Sequence, residues 1–169
     1  MLKEKVEKAL NNQLLIEADS SQIYLAMASW AETQGLKGTA QFLYKHSDEE
    51  RIHMLKLVRY INERGGKAII PAMPKPAIDF KTLNNLFQTL LNHEIMVSAK
   101  INDLVDVCLK EKDYTTQNFL QWYVSEQIEE EALAKTIIDK LNMIGSDKSG
   151  LYMFDKDVEA LIVSSNSVN

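Results

Sequence analysis

Six residues repeat one chemical pattern in the two halves of the chain. Glu17 is followed 33 positions later by Glu50 and 36 later by His53. Glu94 is followed at the same two separations by Gln127 and Glu130. The triplets are offset by 77 positions (17 to 94, 50 to 127, 53 to 130). Carboxylates joined by one imidazole suit divalent cations that favour oxygen ligands. A lone carboxylate plus an i, i+3 pair, supplied twice by two similar helical hairpins, is the ligand plan of a two-metal carboxylate site inside a four-helix bundle.

The elements that must position these groups are legible around them. Heptad spacing runs through Leu10, Glu17, Tyr24 and Ala31, and again through Leu43, His46, Glu50, His53, Leu57 and Tyr60. It recurs through Leu83, Phe87, Leu90, Glu94, Val97, Ile101 and Leu104, and through Leu120, Tyr123, Gln127, Glu130, Ala134, Ile137 and Leu141. Alternating steps of three and four mark the inward stripe of a packed helix. The acids therefore interrupt apolar stripes at mid-length. At 1.5 Å per residue, Glu17 lies about 26 Å from the end of the first helix, and Glu50 to His53 lie about 18–22 Å into the second. The same arithmetic sets Glu94 opposite Gln127 and Glu130, so all six groups share one layer. Four ionised carboxylates in a dry layer would cost several kcal/mol each. Two divalent cations would neutralise them; shared protons, in a purely structural polar network, are the rival account.

Glycines and prolines punctuate the chain. The first helix is expected over about 3–34, stopping at Gly35. The second covers about 38–64, stopping at Gly65-Gly66. Residues 65–81 lack helical period and hold Pro71, Pro74 and Pro76. A helix of about 40 Å needs such a length of chain to cross the bundle, because some 15 extended residues reach about 50 Å. Helices over about 82–110 and 114–144 follow. A short fifth, about 150–163, presents Leu151, Phe154, Val158 and Ile162 at helical spacing. The expected fold is one all-α domain over 1–169. A net charge of −5 over 169 residues argues against nucleic acid and suits cations. The single cysteine, Cys108, excludes an intramolecular disulfide and falls on an inward stripe as an inert thiol. The charged start lacks a signal peptide's apolar core, and no apolar run has membrane-spanning length, so the cytoplasm is the default.

The chain resembles the haem-free bacterial ferritins along essentially its whole length. The resemblance rests on Glu17 with Tyr24, on His46-Ser-Asp-Glu-Glu-Arg-Ile-His53, on Glu94, and on Asn118-Phe-Leu-Gln-Trp-Tyr-Val-Ser-Glu-Gln-Ile-Glu-Glu-Glu131. Gly150-Leu-Tyr-Met-Phe-Asp also resembles the start of that family's fifth helix. It implies a ferritin-like four-helix bundle and a hollow homo-oligomer of twenty-four subunits. It implies a ferroxidase that oxidises Fe(II) with dioxygen or hydrogen peroxide and stores ferric mineral inside. Glu17 and His53 would hold one iron, Glu94 and Glu130 a second, and Glu50 would bridge. Gln127 would stand beside the second iron and Tyr24 behind it. A third, outer site would use Glu49, Glu126 and Glu129 with Glu130 shared; a solvated acidic edge is the plainer reading of those three. The fifth helix would meet its copies at a four-fold axis, burying its apolar face there and against the bundle.

The residues themselves bear on that chemistry. Oxygen ligands with a single imidazole and no thiolate suit Fe or Mn better than Zn. The halves are unequal: Glu130 stands where the first has His53, and neutral Gln127 where it has Glu50. A weaker second site favours iron that passes through. Arg51 occupies the position of the bacterioferritin haem ligand, so no haem is expected. Gln117 and Leu120 fall where animal ferritins have an acidic channel, and one cysteine excludes a rubredoxin-type module. His46 reads as a hydrogen-bonded core histidine, Trp122 and Tyr123 as packing, and Glu63 and Glu131 as surface charge. Two other classes stay open: a diiron or dimanganese oxidase with a fixed cofactor, and a non-catalytic helical module.

Overall fold

The structure is a computed structural model. It describes the backbone of residues 1–164 and every side chain within them except those of 159 and 162–164. Ile162 therefore lies outside the described side chains. The described residues form five helices: α1 (Glu4–Thr33), α2 (Lys37–Glu63), α3 (Leu83–Lys110), α4 (Tyr114–Ile144) and α5 (Lys148–Ser164). Among the described residues there is no strand, and no helix is long and apolar enough to cross a membrane.

The helix ends follow from local chemistry. Gly35 and Gly65 take φ of 77°, a left-handed conformation that glycine adopts without a Cβ penalty. Beyond each, the chain turns back: Leu36 N–H donates to Ala31 O and Gly66 N–H to Ile61 O, both at 3.0 Å. Thr82 and Asp113 cap α3 and α4 by accepting from the backbone N–H of Asn85 and Thr116. The α2 cap comes from elsewhere. Asp155 of α5 accepts from Gly38 N–H at 3.0 Å, Thr39 N–H at 2.9 Å and the Thr39 hydroxyl at 2.8 Å.

The segment between α2 and α3 runs the length of α1. Near its start, Lys67 N–H donates to Glu7 and Ile69 N–H to Asn11. At its far end Phe80 is buried and packs edge-on against Trp30, ring centroids 5.8 Å apart. Asn11 and Trp30 are 19 residues apart on α1, about 29 Å. The fold is thus a four-helix bundle with one long crossover and a short C-terminal helix.

The core divides in two. One apolar cluster contains Met27, Phe42, Phe87, Ile137 and Phe154; the other contains Leu10, Leu57, Ile101, Leu120 and Tyr123. Buried polar residues, including Glu17, Glu50, His53, Glu94 and Gln127, lie between them. Each Leu or Phe in these clusters contributes roughly 1.5–3 kcal/mol on burial. The apolar face of α5 belongs to the first cluster: Phe154 and Val158 are buried and Leu151 packs beside them. That face is therefore covered by its own subunit's bundle.

Candidate metal centre

α1 and α2 bring Glu17, Glu50 and His53 together, with one possible ligand atom from each within 4.8 Å of the others. His53 Nδ1 lies 3.3 Å from Glu50 Oε2 and 3.9 Å from Glu17 Oε2. The ring is held in that pose by packing. Trp122 meets it edge-on at 5.0 Å between centroids, and the Tyr123 hydroxyl donates to the His53 carbonyl at 2.8 Å. Lys56 Nζ lies over the Trp122 ring, 3.4 Å from its centre. Glu17 is 1% exposed and accepts from Gln13 Nε2 at 2.8 Å. Gln13 is four residues before Glu17, one helical turn away, a spacing that sequence reading could have used.

α3 and α4 supply the other half. Glu94 accepts from the Tyr24 hydroxyl at one oxygen and from Gln127 Nε2 at the other, the latter at 2.8 Å. Glu130, its side chain 11% exposed, pairs with His46 Nε2 at 3.1 Å. The second group able to hold a metal is accordingly His46, Glu49 and Glu130. His46 Nδ1 is buried without a hydrogen-bond partner and lies 3.5 Å from Glu49 Oε2. The structure does not gather Glu49, Glu126 and Glu129 into one ligand group. Glu49 and Glu126 are half-buried and Glu129 is exposed. Sequence reading placed His46 in the core but missed its pairing across the bundle, because helical spacing reports only neighbours on the same helix.

Comparison with known proteins decides the family. The ferritin-like domain family matches residues 7–144. The chain is 41% identical over 164 residues to a bacterial non-heme ferritin of Campylobacter jejuni, covering 97% of this chain and 98% of that one. It belongs to the ferritin-like family. A second relative, the "Probable bacterial non-heme ferritin-like protein" of Haemophilus influenzae, is 49% identical over 158 residues, 94% of this chain and 96% of that protein. The open pore ferritin of Archaeoglobus fulgidus superposes with a TM-score of 0.92 at 39% identity, covering 94% of this chain and 98% of that one.

The electrostatics of this ferritin chain show how it carries buried acids without metal. Burial, and then repulsion from Glu130, pushes both Glu50 and Glu94 up to about 8. Burial, and then Glu50, holds Glu17 well above the usual carboxylate range. Burial would also raise Glu130, yet the adjacent His46 outweighs it and holds Glu130 low. Burial would lower His46, but Glu130 and Glu49 raise it. The metal-free layer therefore favours a charged Glu130 against His46, and favours the protonated forms of Glu17, Glu50 and Glu94. Burial also pushes the Cys108 thiol up to about 11, consistent with an inert core residue.

A pH dependence follows. Glu50 and Glu94 bind protons more tightly folded than unfolded, where their value is 4.5. Their contribution to stability is complete below that value and is lost as pH rises through about 8. The thermal midpoint of metal-free protein should fall by about 5 °C or more between pH 5 and pH 9. A saturating redox-inert divalent metal should remove most of that loss. A flat metal-free profile would contradict this account of the layer.

Proposed function

We propose that the chain is a single-domain subunit of an iron-storing ferritin. In this reading it oxidises Fe(II) at a dinuclear centre and passes the ferric product into a shell of twenty-four copies. The observation that carries it is the buried polar layer between two apolar clusters, in which Glu17, Glu50 and His53 gather, Gln127 bonds Glu94, and the charge of Glu130 acts on both Glu50 and Glu94. Glu17 and His53 hold the first iron, Glu94 and Glu130 the second, and Glu50 reaches both. Gln127 and Tyr24 orient Glu94 by donating to its two oxygens. The chain's part is to hold two ferrous ions close together with open positions, so that each gives one electron to the same dioxygen or peroxide molecule. The protons on Glu17, Glu50 and Glu94 leave as metal enters. An outer cation site sharing Glu130 would require Glu49, Glu126 and Glu129, which stand apart without metal, to close on the cation, and His46 stands between Glu49 and Glu130. Cytoplasmic iron is the supply this reading requires.

Gel filtration with iron-loading stoichiometry tests the proposal. Twenty-four chains of 19.3 kDa make a shell of about half a megadalton, and it should take up iron far beyond two per subunit. A small oligomer with tight, stoichiometric metal would establish a fixed-cofactor oxidase instead, and a bundle indifferent to metal would leave only a structural module.

The two positions should also fill in order. The first offers an imidazole, whereas the second must take Glu130 from His46. Crystals grown with substoichiometric redox-inert metal should show the His53 side occupied first. Equal occupancy would refute the asymmetry.

A further inference from the structure

A cleft of about 150 Å³ opens between α3 and α4. Its polar lining is Ser98, Asn102, Gln127 and Glu131. Two helical-turn pairs face each other there. Ser98 follows Glu94 by four residues on α3, and Glu131 follows Gln127 by four on α4. The side chains connect in a line. Glu131, 25% exposed, meets Lys135 at the surface with one oxygen, 3.3 Å away. Its other oxygen accepts from the Ser98 hydroxyl at 2.6 Å. Ser98 Oγ lies 3.5 Å from Gln127 Nε2, and that nitrogen lies 2.8 Å from Glu94 Oε2. Gln127 is 7% exposed and forms the floor.

Carboxylate, hydroxyl, amide and carboxylate thus succeed one another from solvent to the buried layer. Each has an oxygen able to ligate a divalent cation in passing, the amide by turning over. Glu131 places a carboxylate at the mouth of the cleft, and a negative charge there favours an approaching cation. The outer acids Glu49 and Glu126 lie instead on the side of α4 facing α2, where Glu49 meets His46 and Glu126 senses His53 and Lys56. The cleft is therefore a separate approach.

We propose that Glu131 and Ser98 form a port through which divalent cations reach the Glu94–Glu130 side of the centre from the α3–α4 face. The proposal rests on the reading that this side holds the second metal. The competing role is a brace, in which the Ser98–Glu131 bond only fixes α3 against α4 and so aligns Glu94.

Anaerobic stopped-flow binding of Co(II) to the assembled protein separates them. The phase to follow is the one abolished by Glu94→Gln. Glu131→Gln removes charge but keeps the shape. It should slow that phase by about threefold to tenfold and weaken its salt dependence, as expected for loss of a steering charge. Ser98→Val narrows the cleft and should slow arrival and departure together, leaving equilibrium affinity unchanged. Unaltered association rates in both variants would overturn the port. Slower binding of Ser98→Val with an equal loss of equilibrium affinity would establish the brace instead. If Co(II) binding is unchanged but Fe(II) oxidation now demands more dioxygen, the cleft carries the oxidant and the proposal fails. Wild-type protein that binds fewer than two Co(II) per subunit would refute the dinuclear reading itself, independently of the port.

Discussion

Glu50→Ala should slow Fe(II) oxidation by about a hundredfold or more, since losing even an outer partner of a metal ligand costs about 10–100-fold. Glu50 lies against His53 in the first half and within electrostatic reach of Glu130 in the second. Its carboxylate lies 3.3 Å from His53 Nδ1, and it senses the charge of Glu130 on α4. On the proposed reading, the first position would lose a ligand and the two metals their shared one. The metal-free variant should fold, and it should melt no lower than wild type at pH 9, because a buried acid raised to about 8 has been removed. Stopped-flow oxidation and thermal melts of metal-free protein measure the two effects. Wild-type oxidation rates would remove Glu50 from the centre, and a markedly lower melt would refute the argument from buried charge.

Ending the chain after Gly145 should destabilise the subunit itself by several kcal/mol. Phe154 and Val158 are buried against their own bundle, and each such side chain is worth roughly 1.5–3 kcal/mol. Asp155 is also the cap of α2, typically worth about 1 kcal/mol. Loss of α5 would strip Phe87 of Phe154, leaving it Phe42 as a ring neighbour, and would leave the Gly38 and Thr39 N–H groups of α2 without their acceptor. The damage should appear in the melting of the four-helix core as well as in light scattering from the oligomer. Asp155→Ala separates the terms by keeping the apolar face and losing only the cap, at about 1 kcal/mol. Unchanged core melting in the truncated chain would show that α5 matters to assembly alone.

The bundle and the layer were legible because both repeat along single helices. Spacing of three and four marks an inward face, and Glu17, Glu50, His53, Glu94 and Gln127 fell on it among residues that the structure buries. The crossover was legible from its prolines and from the length it had to span. Partners that meet across helices were not. His46 and Glu130 are 84 residues apart, and no periodicity links them. The Asp155 cap joins residues 116 and 117 positions apart. The same limit applies to Glu131. Its exposed neighbours on α4 make it read as surface charge, whereas its bond to Ser98 comes from α3. Lys112 turns the chain at φ 56° between α3 and α4, a left-handed position where glycine is the usual residue.

The crossover also sets an order of events. α1 packs chiefly on α2 and α3 on α4, so each hairpin is a local unit that can form before the strap between them draws tight. Glu17, Glu50 and His53 all come from the first hairpin; Glu94, Gln127 and Glu130 come from the second. A newly made chain could thus bind a cation in one hairpin, but a reaction needing two metals side by side must wait until the hairpins dock. On the dinuclear reading, oxidation chemistry should switch on only when the hairpins have docked and the apolar clusters on both sides of the layer have closed around it.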